Sequence, residues 1–335
     1  MSIGGEAPPT LMRSRPLDKS SGGGGDFAAR PITTPSPSRA LVEGAGEGQR
    51  GGVPLLSRIA PYLQATPLVA VLAAFLLVPI ATILLVSFWD YDQYQLVPGF
   101  VLSNYLDALS AVTFHTYLNS LKFALLTWLF TLAIGFTVAH FLAFHVATTK
   151  WQMVLFLVCT IPFWTSNVIR MISWIPFLGR NGILNTTLQA LHLIDSPLEF
   201  LLFSDFAVIL AFVHLYTLFM VVPIFNSMMR IDRRLIEAAV DCGASGFQVL
   251  REVIVPLAKP GIAIGSIFVV TLVMGDFVTV RLMSGGQSAS VGLIIANQMS
   301  LLQYPAAAAN AVILLVVVLI AVAAMIRVVD IRKEL

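Results

Sequence analysis

Charged residues fill 11% of the 335 positions, against roughly a quarter in a soluble chain, while 57% are hydrophobic and the mean hydropathy is +0.86. Those proportions exclude an ordinary soluble domain. The net charge of +2 follows from where basic residues sit along the chain and does not mark a nucleic-acid surface, so no nucleic-acid partner is expected. Cys159 and Cys242 fall in dissimilar surroundings. Neither belongs to a Cys/His metal spacing, and the two are not expected to pair.

Residues 1–57, with "SSGGGGD" and "PITTPSPSR", have no apolar period and no signal-peptide hydrophobic region. They read as a disordered cytoplasmic tail ahead of a membrane domain over 58–335. A helix needs about 20 apolar residues to cross the hydrocarbon core. Six runs of that order lie near 66–88, 117–144, 152–177, 206–228, 260–282 and 306–326. Lipid leaves unpaired backbone groups without a partner, so an all-α integral membrane bundle of six transmembrane helices is expected.

The loop 89–116 carries Asp90, Asp92 and Asp107 and no Lys or Arg. Segment 178–203 opens on a Gly/Asn turn and continues with Leu184, Leu188 and Leu191 on one helical face. It reads as an amphipathic helix at the outer surface, either lining a docking surface or capping the bundle. The uncharged loop 284–305 has an apolar middle that fits a re-entrant or interfacial helix. With both termini inside, the four inner segments hold seven, one, five and three Lys/Arg, sixteen of the chain's twenty. The positive-inside rule therefore puts the N and C termini in the cytoplasm.

One inner loop departs from its surroundings. "RRLIEAAVDCGASGFQVLREVIVP" (233–256) holds six charged side chains in 24 positions. Asp232 can cap a first helix whose Ile236, Ala239 and Val240 share a face. Gly243 can end it in the left-handed conformation. Ser245 and Gln248 have capping-box spacing for a second helix, with Phe247, Leu250 and Ile254 on one face. Pro256 is expected to stop that helix, and Pro260 to start the next span. Two short amphipathic helices at the inner surface present themselves to something that is not lipid, for which a cytoplasmic protein is the natural candidate.

The spacing Glu237-Ala238-Ala239, Gly243, then Val253-Ile254-Val255-Pro256 resembles the EAA loop of the permease subunits of binding-protein-dependent ABC importers. The family pattern usually ends Ile-x-Leu-Pro, where this chain has Val-x-Val-Pro. The resemblance implies the MetI-like type I ABC importer permease fold. It also implies that Glu237, Ala238, Ala239, Gly243, Val253, Val255 and Pro256 belong to a loop that docks on an ATPase subunit dimer. "IPFWTSNVIRMISW" (161–174), "GRNGILN" (179–185), "MGDFVTVRLMSGG" (274–286) and "YLNSLKFAL" (117–125) resemble the spermidine/putrescine group, although that group often has Pro where Val280 stands. The further implied partners are a second permease subunit, distinct from this chain, and a periplasmic substrate-binding protein. The setting is the bacterial inner membrane, the protein is multi-pass, and ATP is used by the ATPase, with no cofactor bound by this chain.

Arg170 and Asp276 are charges within the runs, each costly at a helix centre (about 2.5–3.5 kcal/mol) and so expected to face protein or a water-filled path. Asp276 may be read as pairing with Arg170 to lock the third and fifth spans, or as lining a path for a cationic solute. Trp174, one turn from Arg170, and Trp164 would join such a path, because aromatic faces suit ammonium groups. Arg281 is expected to snorkel to the outer headgroups, and His140 and His214 read as packing groups. The chain has no Gly-x4-Gly-Lys-Ser/Thr and no His-Glu-x-x-His. Tyr91-Asp92 and Gly275-Asp276 do not complete an intramembrane aspartyl protease, since position 273 is Val and Asp92 lies in an outer loop. The rival readings are an importer for another solute (an amino acid derivative, opine or phosphonate) and a gradient-driven secondary transporter. The latter leaves residues 233–256 without a purpose.

Overall fold

The computed structural model describes residues 55–92 and 95–328. The tail expected over 1–57 lies outside them except for Leu55–Ser57, which begin the first helix. The chain divides into two units between Gln64 and Ala65, and the architecture below is that of the second. In chain order the elements are α1 (Leu55–Val86), a hairpin of β1 (Asp90–Asp92) and β2 (Gln95–Val97), α2 (Ser103–Ala108), α3 (Ala111–His140), α4 (Thr149–Thr160), α5 (Asn167–Leu178) and α6 (Ile183–Ala190). They continue with α7 (Asp205–Met228), α8 (Arg233–Asp241), α9 (Gly246–Val249), α10 (Val255–Gly275), α11 (Val278–Met283), α12 (Val291–Ser300) and α13 (Tyr304–Val328). The antiparallel hairpin, with Asp90 opposite Val97, is a small departure from an all-helical chain.

Among the described residues, five helices are long and apolar enough to cross a bilayer: Thr66–Val86, Ala111–His145, Glu199–Met228, Gly246–Gly275 and Tyr304–Arg327. The sixth crossing is not a single rod. Thr149–Trp164 and Asn167–Ala190 meet at 86°, so the third expected span breaks where Pro162 sits in a short 3-10 turn, Ile161–Trp164. Proline cannot donate to the ladder, and the turn ends at Thr165 in an extended conformation. The fifth expected span, 260–282, also stops early, at Gly275, before two non-helical residues and α11. The helix expected within 284–305 is α12.

α3, α7 and α10 pack against one another and form the centre of the bundle. Phe212, Met220, Ile224 and Met228 of α7 are sealed from the exterior. Helix association in lipid depends on close fit of small residues, since the tails are as apolar as the helices themselves. Met220 meets that requirement from two sides. A Cβ on Gly135 of α3 would stand 2.8 Å from its side chain, and one on Gly265 of α10 would stand 2.7 Å from its sulfur. A Cβ on Gly261 would come within 2.4 Å of the Pro223 carbonyl oxygen of α7. Gly261-Ile-Ala-Ile-Gly265 is thus a small-residue face pressed on α7.

Polar side chains tie the periphery to this core. Trp128 Nε1 donates to Ser266 Oγ at 2.7 Å, and the Val291 N–H donates to Ser120 Oγ at 2.9 Å. The Tyr117 hydroxyl donates to the Asn310 carbonyl at 3.0 Å. Lys122 of α3 pairs with Asp205 at the start of α7, and Asp205 also accepts from Ser288. Arg281 donates to Asn297 of α12 at 3.0 Å and lies over the Phe277 ring. On α6 Asn185 is fully buried, donating to the Gly179 and Leu198 carbonyls and accepting the Leu198 N–H. The inward face of α6 is therefore Leu184, Asn185 and Leu188, while Leu191 is exposed beyond the helix end.

Gly261→Val should strain the α7–α10 contact by about 1–3 kcal/mol, the usual cost of overpacking, and lower the thermal unfolding midpoint in detergent. Gly275→Ala, where nothing lies within 4 Å of the added carbon, should leave the midpoint unchanged. Equal midpoints for Gly261→Val and the native chain would refute the packing argument.

Candidate functional site

The inner element begins as local rules dictate. Asp232 Oδ1 accepts the Arg234 N–H at 3.0 Å and caps α8. At the other end Gly243 has φ +87°. Its N–H donates to the Val240 carbonyl at 2.8 Å, and the Ala244 N–H donates to the Ala239 carbonyl at 3.0 Å. This pair of bonds is a Schellman closure, which uses up carbonyls that α8 would otherwise leave unpaired. Ser245 and Gln248 then form the reciprocal capping box that opens α9.

The second half departs from expectation. Pro256 does not stop a helix. A π-turn over Leu250–Ile254 carries α9 directly into α10, with Pro256 in the first turn and Pro260 inside. The wider turn shifts the backbone bonding partners by one residue, so the missing proline N–H falls where the ladder is already interrupted. The apolar faces divide in two. Ile236, Ala239, Ala244, Val249, Leu250, Val253 and Ile254 lie against the core, whereas Val240 and Phe247, expected on the same faces, are 55% and 70% exposed. Glu237, Ala238 and Gly243 are exposed beside them, and Val255 and Pro256 form the half-buried root of α10. Ala239 faces inward. Leu235, Val240 and Phe247 thus leave apolar side chains exposed on the loop itself.

The other candidate residues lie in the spans. Asp276 stands in the break between α10 and α11 and does not pair with Arg170. Its Oδ2 accepts from the Tyr216 hydroxyl and Thr279 Oγ1, both at 2.7 Å, and its Oδ1 accepts the Thr279 N–H at 3.0 Å. The carboxylate closes the first turn of α11 and ties it to α7. Arg170 donates instead to Asn167 one turn earlier on α5, and its shielded Nε has no partner. Trp174 Nε1 donates to His214 Nδ1 of α7 at 3.1 Å. Arg170, Trp174 and His214 border a cleft of about 430 Å³ whose other walls come from α3, α4 and α7, including Cys159 and Phe163. Trp164 stands apart, 85% exposed.

Tyr216 and Thr279 are not singled out by the sequence, and His214 reads there only as a packing group, although a tyrosine or histidine in an apolar run needs a partner for its polar end. Asn185 lay within the quoted "GRNGILN", and nothing local distinguished it from Asn181.

No family model matches the chain. The spermidine/putrescine transport system permease protein PotB of Salmonella typhimurium (strain SL1344) is 35% identical over 248 residues, covering 73% of this chain and 85% of that protein. The chain belongs to the spermidine/putrescine permease family of ABC importers. This permease is accordingly a non-catalytic, multi-pass subunit of the bacterial inner membrane. The spermidine/putrescine transport system permease protein PotC of Escherichia coli (strain K12) is 38% identical over 106 residues, 32% of this chain and 40% of that one. Among solved structures, a bacterial alginate ABC transporter in complex with an alginate pentasaccharide-bound periplasmic protein shares the permease's fold, with a TM-score of 0.66. The likeness covers 81% of this chain and 94% of that one at 18% identity.

Tyr216→Phe should destabilise the permease by about 1–2 kcal/mol, the upper range for an intramembrane hydrogen bond, because the acceptor is charged. Unfolding in mixed micelles measures it. A change near zero would mean that the Asp276 bond does not hold α11 to α7.

Proposed function

We propose that this permease forms one half of a two-permease pore that admits polyamines of the spermidine/putrescine kind, or related small amine-bearing solutes, under the control of separate ATPase subunits. The observation that carries the coupling is the element 233–256. Two short helices locked by a Schellman turn and a capping box hold Glu237, Ala238, Gly243, Val240 and Phe247 outward at one end of the bundle. ATP binding closes the ATPase pair and draws two such elements together. The spans then rock from inward-facing to outward-facing, as alternating access requires, and hydrolysis resets them. The solute arrives on a periplasmic binding protein docked on the outer surface. The similarity to both PotB and PotC, named as permeases of the same kind of transport system, supports a sister permease that is a distinct homologue.

In this reading both termini and residues 229–259 are cytoplasmic. Asp276 and the aromatic side chains near it line the path, since a carboxylate with ring faces suits an ammonium on an apolar stem. Asp276 already accepts three hydrogen bonds of the roughly four that its lone pairs allow. Its duty to the fold comes first, and a passing ammonium would use what remains.

Gly243→Asp meets no clash, since nothing lies within 4 Å of the added carbon, but it must hold an L side chain at φ +87°. That strain falls on the exposed turn, so insertion and assembly should persist while the turn's geometry is disturbed. In the assembled transporter it should cut binding-protein-stimulated ATP hydrolysis by roughly tenfold or more, the effect of losing about 1.4 kcal/mol of coupling. Native stimulation in that variant would remove the coupling role. Cys242 is exposed, so a membrane-impermeant maleimide should label it in inside-out vesicles only. Labelling from the periplasmic face would reverse the orientation.

A further inference from the structure

We propose that the cleft bordered by Arg170, Trp174 and His214 receives the carboxylate of an amino-carboxylate solute, so that the permease handles substrates with an anionic end as well as wholly cationic ones. This rests on the reading that the cleft belongs to the solute path. The argument is one of hydrogen-bond polarity. His214 accepts the Trp174 indole N–H at Nδ1, so a neutral His214 carries its own proton at Nε2 and presents a donor there. Trp174 has thereby spent its single donor. The Ser173 and Thr217 hydroxyls donate to the Ile169 and Val213 carbonyls of their own helices. Arg170 bonds to Asn167, and its Nε has no partner. Among the described residues no carboxylate lines the cleft or pairs with Arg170. Its free polar groups are therefore donors with a fixed positive charge.

An ammonium group also brings only donors and the same charge, and meets repulsion there. A carboxylate brings only acceptors, and the planar guanidinium fork matches its two oxygens. Depth rules against a lipid headgroup as the natural occupant. His214 stands nine residues along α7 from Asp205, about 13.5 Å at the helical rise, which is close to the middle of a hydrocarbon core about 30 Å thick. The volume of about 430 Å³ suits a small solute. The amine of such a solute is the group that the path proposed above takes, where Asp276, bonded to Tyr216 of the same helix as His214, is the carboxylate.

The test uses the assembled permease pair and ATPase in nanodiscs, without nucleotide, in a Cys242→Ser background. Cys159 lines the cleft, and its alkylation by N-ethylmaleimide is followed by peptide mass spectrometry. The probes are 4-aminobutanoate and putrescine, which share a four-carbon skeleton and differ at one end, carboxylate against ammonium. At millimolar concentration 4-aminobutanoate should slow alkylation roughly threefold, as expected for occupancy at about twice the Kd, and putrescine should not. Arg170→Gln should abolish the protection, and Arg170→Lys should keep part of it. Protection by putrescine alone, or protection that survives Arg170→Gln, would overturn the proposal. So would a Cys159 that fails to react in the assembled complex, which would mean that the sister permease covers the cleft. No ATP is involved, so this result is independent of the coupling reading, whose failure would appear only in ATP hydrolysis.

Discussion

Lipid supplies no hydrogen-bond partner, and the structure is organised around that lack. Continuous helices meet the requirement by themselves, so the informative places are those where a span is interrupted. At the first, near Pro162, Thr165 returns both its N–H and its hydroxyl to the Pro162 carbonyl. At the second, after Gly275, Asp276 accepts the first N–H of the next turn while Tyr216 and Thr279 neutralise the demand of its oxygens. Each interruption turns the chain near the cleft beside α7. Irregular backbone at membrane depth is tolerated only where protein or a cavity surrounds it, and both breaks are closed by bonds from within the protein.

The same economy ties the element at 233–256 rigidly to the spans. The element at 233–256 is not a hinged appendage, because its second helix runs through the π-turn into α10 without interruption. α10 in turn meets α7 backbone to backbone at Gly261 and closes on Met220 at Gly265, with Gly135 of α3 on the far side. A close-packed contact of this kind transmits displacement with little give. A lateral tie reinforces it. Arg233, the first residue of α8, donates to the Ala143 carbonyl at 3.4 Å, and the buried Gln152 donates to the same carbonyl at 3.3 Å. The corner between α3 and α4 is thus tied to the start of α8.

What could be read from sequence was whatever short-range chemistry decides. Asp232, Gly243, Ser245 and Gln248 act within four residues of themselves, and each performs the expected task. Membrane runs were legible because composition alone sets them. The expectations that failed depended on rotation or on distant neighbours. Phe247 and Val240 share helical faces by period with Leu250, Ile254, Ile236 and Ala239, but the period is indifferent to which part of such a face meets the bundle and which is left outward. Pro256 read as a stop because a π-turn leaves no local signature. Of the two readings that charge allows for Asp276, the pairing with Arg170 fails because the break after Gly275 turns the carboxylate toward Tyr216. Asn185, Gly261 and Gly265 gain their meaning only from the backbone that approaches them.

These features describe a passive pore-former whose motion is supplied from outside the membrane. The most direct measurement is solute accumulation by the purified permease pair in proteoliposomes, with and without its ATPase and binding protein. The account predicts no concentrative uptake by the permeases alone under any ion or voltage gradient, and ATP-dependent accumulation once all components are present. Uphill transport by the permeases without the ATPase would contradict it.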